Sequence, residues 1–151
     1  MHNNRYTIIF TTLITMVLAF VLSSVYSSLE EITEANVRAD IKKNILTSLG
    51  FEPSVEIPWS RENVETIFSE SVESFVVDDL GNVISDKLPE DIDPKLNMNL
   101  FPLYRKVVNG AIEGYAIPIS GKGLWGTMYG YFSIEPDGAT AKGITFYKHI
   151  E

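Results

Sequence analysis

From Tyr6 to Leu29 the chain carries no charged side chain, and Ile8 to Val25 is dominated by Ile, Leu, Val, Phe, Met and Thr. At about 1.5 Å per residue, a helix of that length covers the roughly 30 Å hydrocarbon core of a bilayer. The Ser and Thr residues within it do not oppose insertion, because their hydroxyls can bond carbonyls one turn back. A cleaved signal peptide would have a shorter apolar region and small residues at its cleavage site. Here the run ends Ser23-Ser24-Val25-Tyr26-Ser27-Ser28, with no A-x-A pattern, which favours an uncleaved anchor over residues 6–26. A buried globular helix would show a polar face, and none interrupts the run. Arg5 precedes the span, whereas Glu30, Glu31 and Glu34 follow it. Lys and Arg mark the cytoplasmic side, so residues 1–5 are expected there and the remaining domain outside the cytoplasm. Cysteine is absent and gives no vote on compartment.

Beyond the span, Glu30 to Leu49 reads as a helix that continues the anchor or joins it through a short kink. Ile32, Ala35, Ala39, Ile45, Leu46 and Leu49 give it an incomplete apolar stripe, and Gly50 is a natural stop. Residues 27–50 thus form a membrane-proximal helix, and 51–151 a separate α+β domain. Pro53 and Pro58 mark a loop. Ser60 is a good N-cap for a helix from Arg61 to about Glu70 that buries Val64, Ile67 and Phe68. Phe75 to Val77 and Val83-Ile84 flank a turn and predict a hairpin. Asp86 to Asn99 reads as a surface loop. Leu103 to Val108, the Asn109-Gly110 turn and Ala111 to Ile119 predict a second hairpin. Tyr129 to Ile134 and Lys142 to Lys148 predict a third, turning at Pro136-Asp137-Gly138. The sheet is expected to be largely antiparallel.

Net charge is −8, and a surface of that sign argues against nucleic acid as a partner. Residues 52–93 hold twelve acids against Arg61 and Lys87, which reads as a solvated acidic face. His2 and His149 are the only histidines, too few and too far apart for a metal centre. Gly121, Gly123 and Gly126 fit the letter of G-x-G-x-x-G, but that fingerprint needs a helix to begin at the glycines. Here a Tyr- and Phe-rich strand follows, so a dinucleotide fold is excluded on context. A Walker loop is excluded too, because Gly123 follows Lys122 where Ser or Thr is required. Trp125 has two readings: a core aromatic beneath a glycine loop, or an aromatic wall for a planar ligand approached by the backbone at Gly121 and Gly123. Composition leaves both open.

A set of motifs occurs in fixed order: Leu103-Tyr104 after a proline, Gly114-Tyr115, Pro118 to Trp125, Tyr129-Gly130, and Lys142 to His149 followed by Glu151. Together with the anchor and the α+β domain they resemble the C subunit of the bacterial Na+-translocating NADH:quinone reductase. The G subunit of the Rnf complex is a more distant match. The resemblance covers essentially the whole chain; its most specific parts are Ser120 to Trp125 and Gly143 to His149.

The resemblance implies an FMN-carrying subunit of a complex in the bacterial inner membrane, partnered by other subunits, that oxidises NADH, reduces quinone and exports Na+. It implies that Gly123, Leu124, Trp125, His149 and Glu151 line the flavin pocket. In the family, FMN is held by a phosphoester to a threonine in a Ser/Thr-Gly-Ala-Thr-x-Ser/Thr motif, beyond a Thr-Pro-Gly-Leu-Gly segment that follows the His-x-Glu. That motif is absent from these 151 residues, so the expectation is the N-terminal part of the domain, with no covalent attachment site and little activity alone. Asp137-Gly138-Ala139-Thr140 mimics the motif, but it lacks the flanking hydroxyl residues, and turn geometry already explains it. The alternative is a single-pass, membrane-anchored binding or assembly module without redox activity.

Overall fold

The apolar run begins α1, Asn4–Ser48, one continuous 45-residue helix in this computed structural model, which describes residues 4–92, 97 and 99–148. The apolar run and the stretch expected to follow it as a second helix are thus one helix. The chain divides into two compact units, Met1–Arg38 and Ala39–Glu151. In the first, every described residue up to Glu34 is exposed, although the stretch is long and apolar enough to cross a membrane. Its hydroxyls turn inward on the helix: Thr11, Thr15, Ser24 and Ser28 each donate to the carbonyl four residues back. Polar groups satisfied this way suit a helix surrounded by hydrocarbon.

The second unit takes the last turns of α1, and here the apolar stripe is buried. Ile45, Leu46 and Leu49 are almost wholly inaccessible. Gly50 stops the helix with φ of 82°, letting its N–H reach Thr47 and the N–H of Phe51 reach Leu46. Those two bonds form a Schellman motif, which satisfies carbonyls the helix end would orphan. Next comes α2, Arg61–Ser71, capped by the Ser60 hydroxyl, which accepts from the Asn63 N–H. Val64 is buried, and Ile67 and Phe68 pack against the core.

Among the described residues six strands follow: β1 (Val72–Asp78), β2 (Val83–Ile84), β3 (Leu100–Val108), β4 (Ala111–Lys122), β5 (Thr127–Ile134) and β6 (Ala141–Lys148). They form one antiparallel sheet in the order β2-β1-β3-β4-β5-β6. All three expected hairpins are present. Asn109 and Gly110 both have positive φ, as the tight turn between twisted strands requires.

The register assigns side chains to two faces, since neighbours along a strand alternate. Pairs Tyr104–Ala116 and Ala116–Ser133 put these residues on one face, with Tyr131 two positions along β5. This face meets α1 and α2. Val76, Ala116 and Ser133 on it are fully buried, and Val72, Tyr104 and Tyr131 nearly so. Ser133 donates to the Ser48 hydroxyl at 2.8 Å, and Ser48 donates on to the Ile45 carbonyl. Contact is so close at Gly143 that a Cβ there would lie 2.4 Å from the Ser48 carbonyl oxygen. Lys42 completes the seam, pairing with Glu65 at 2.5 Å with its ammonium 5.2 Å from the Phe68 ring centre.

Candidate functional site

The β4–β5 hairpin carries the glycine-tryptophan motif. Pairing runs through Ser120–Tyr129, Gly121–Met128 and Lys122–Thr127, so Ser120, Gly121 and Lys122 are strand residues. The expected six-residue loop reduces to a four-residue tip, Gly123 to Gly126, closed by the Gly123 N–H donating to the Gly126 carbonyl at 2.7 Å. Leu124 is 82% exposed and Trp125 76%. Trp125 is therefore no core aromatic; Trp59 is the tryptophan packed against the core.

The two most specific sequence segments meet across β5. Tyr129 pairs with Ser120 on one side and with Lys148 on the other. Lys148 sets its ammonium 5.8 Å from the Tyr129 ring centre. His149 and Glu151 lie outside the described residues.

Behind the tip, on the helix-covered face, runs an aromatic row that sequence reasoning missed. Tyr129 and Tyr147 are 6.5 Å apart, Tyr147 and Tyr131 stack at 5.5 Å, and Tyr131 meets Tyr104 edge-on at 5.7 Å. Phe68 of α2 ends the row, 6.2 Å from Tyr104. Burial pushes the Tyr104 phenol up to about 12 and lifts Tyr131 further, while Tyr147 rises for the same reason. These phenols stay neutral at physiological pH, with the Tyr104 and Tyr131 hydroxyls close enough to interact. The signal was present in the two-residue spacing of Tyr129 and Tyr131. A bulge between Tyr129 and Gly130 puts Tyr147 beside them, and no sequence rule announces it.

Thr140 behaves as a turn residue. Its hydroxyl donates to Asp137 at 2.6 Å, and the backbone N–H groups of Ala139 and Thr140 donate to the same carboxylate. These bonds hold the Asp137 carboxyl down at about 2. Among the described residues no group of three or more His, Cys, Asp or Glu is placed to hold a metal ion.

What the tip offers a planar ring system is one wall. An exposed indole supplies an aromatic plane, and a Cβ built at Gly121 meets nothing within 4 Å, so backbone approach there is open. Lys122 is the single charge between Ser120 and Gly126.

No family model matches the chain. Sequence relatives are nonetheless consistent. The chain is 48% identical over 42 residues to the C subunit of the Na(+)-translocating NADH-quinone reductase of Pasteurella multocida, a match covering 28% of this chain and 16% of the relative. Against the corresponding protein of Haemophilus ducreyi it is 27% identical over 134 residues, 74% of this chain and 50% of the relative. Among solved structures, the same C subunit from Parabacteroides distasonis superposes with a TM-score of 0.67 at 25% identity, over 82% of this chain and 59% of that one. Shewanella oneidensis NqrC gives 0.64 at 24%, over 76% and 60%, a likeness of fold. The chain spans about half the length of the Haemophilus relative and about three fifths of the solved ones. In both sequence and fold the chain is similar to the C subunit of the Na(+)-translocating NADH-quinone reductase.

Proposed function

We propose that the chain serves as a flavin-carrying subunit in a membrane NADH–quinone oxidoreductase coupled to Na+ export, anchored by residues 6–26 with its α+β domain outside the cytoplasm. The observation that supports this reading is the agreement of an NqrC-like fold with an ordered motif set that converges on the β5 strand. Bound FMN would supply the electron transfer, and the protein would supply position and polarity. In this reading the Trp125 indole lies against the ring system, and Gly123 lets backbone amides come close. Leu124 shields the ring edge from water, and His149 and Glu151 supply polar contacts. NADH and quinone are handled by other subunits. A covalent bond to FMN is assigned to no residue among these 151, Thr140 included, because its hydroxyl is committed to Asp137.

Titrating FMN into the detergent-solubilised chain while following tryptophan emission tests the site. Trp59 is held against the core, so quenching of an exposed tryptophan reports on Trp125. Saturable quenching in the parent, and flavin-fluorescence titrations that show binding at least tenfold weaker in Trp125→Ala, are the expected outcome. FMN affinity unchanged by Trp125→Ala would remove the tip from the site. No saturable flavin binding, in a chain that still joins a larger membrane complex, would favour the anchored assembly module instead.

A further inference from the structure

The turn between β3 and β4 carries a pair of reactive groups that the flavin reading does not use. Val108 pairs with Ala111, so Asn109 and Gly110 alone make the connection. Both have positive φ, 50° and 77°, which a two-residue turn between twisted strands requires. Glycine reaches that region without strain, and asparagine reaches it more readily than most residues that carry a Cβ. The fold thus selects Asn followed by Gly. That order also sets a side-chain amide beside a backbone nitrogen that no Cβ crowds.

The surroundings leave both groups open. Asn109 and Gly110 are exposed, and a Cβ built on Gly110 meets nothing within 4 Å. Among the described residues the Asn109 amide makes no hydrogen bond. Other asparagine amides are held: Asn44 donates to the Asp40 carbonyl, Asn63 to the Pro58 carbonyl and Asn82 to the Asp78 carboxylate. Those three are also followed by Ile or Val, whose branched side chains crowd the next backbone nitrogen.

We propose that Asn109 is a site of self-modification, at which the folded chain converts its own asparagine to aspartate and isoaspartate. The Gly110 nitrogen, losing its proton to hydroxide, attacks the Asn109 Cγ. A Cγ–N bond forms, the Cγ–Nδ2 bond breaks, and Nδ2 leaves as ammonia. Water then opens the five-membered imide at either carbonyl. One opening leaves an ordinary aspartate; the other routes the backbone through the side chain as isoaspartate. In balance, water is consumed and ammonia released, with no change of oxidation state. Either product adds a negative charge to the turn. Isoaspartate also lengthens the backbone between Val108 and Ala111, where turn geometry sets the register of the two strands.

The full chain in detergent would be held at neutral and mildly alkaline pH, digested with trypsin and mapped by mass spectrometry. Cleavage after Lys106 and Lys122 isolates Asn109 with no other Asn or Gln, and cleavage after Arg61 and Lys87 isolates Asn63 with Asn82. The proposal predicts the mass gain of an amide-to-acid conversion at least tenfold faster in the first peptide than in the second, at a rate that rises with pH. An isoaspartyl methyltransferase should label that same peptide, and Asn109→Gln should suppress both signals. Equal rates in the two peptides would overturn the proposal. So would conversion seen only after unfolding in urea, because the folded turn would then hold the Gly110 nitrogen away from the amide.

Discussion

The two faces of the sheet are built from the same strands and nearly the same residue types, yet one is a core and the other is not. On the helix-covered face Val76, Ala116 and Ser133 are fully buried, and Ser133 is a polar residue whose hydroxyl has been matched to Ser48. On the other face Phe132, Ile144 and Phe146 are large and apolar but remain open to solvent. Hydrophobicity therefore does not decide which side of a strand is interior. The difference lies in what covers it, and the last turns of α1 and the whole of α2 cover one side only.

The largest expected effect is on the covered face. Leu46→Ala removes a wholly buried side chain between helix and sheet and should cost about 2–5 kcal/mol in denaturant unfolding. A cost below that range would mean the helix is less tightly seated than its burial indicates. Gly143→Ala comes next. Its methyl would press on the Ser48 carbonyl oxygen, and displacing the helix should cost roughly 1–3 kcal/mol in the same measurement.

Alkaline titration sharpens the contrast further. Tyr104 has a folded pKa of about 12 against 10 unfolded, because burial penalises its phenolate. Its stabilising contribution is therefore complete below pH 10 and is lost as pH rises from 10 through 12. Unfolding midpoints measured across that range should fall steeply in the parent and less in Tyr104→Phe. The smallest effect belongs to the open face: Ile144→Ser should cost less than about 1 kcal/mol, since the side chain is already half exposed. A loss as large as that of Leu46→Ala would show that something covers this face in the chain as purified.

Local features were legible in the sequence where one residue type has one backbone use. Gly50 at the helix stop, Ser60 at the cap and Asn109-Gly110 at the hairpin all do what their chemistry requires. Strand limits were less legible. β1 begins at Val72 directly from α2, and β4 runs on through Gly121 and Lys122, because pairing with β5 overrides the weak strand preference of glycine and lysine. For the candidate site, the sequence marked Trp125 as notable but left its environment open, and only the hairpin geometry places it at an exposed tip. The tyrosine row was only partly legible, in the spacing of Tyr129 and Tyr131, for a related reason. It joins β3, β5 and β6, and no spacing within one strand records which neighbours lie alongside.

Membership in a working redox complex is the claim on which the functional reading stands. The most direct measurement is to purify the full chain through an affinity tag from detergent-solubilised native membranes and assay the eluate for NADH-dependent quinone reduction and its response to Na+. The account predicts Na+-stimulated reductase activity and flavin fluorescence that co-elute with the chain. Recovery of the chain from those membranes with neither would contradict it.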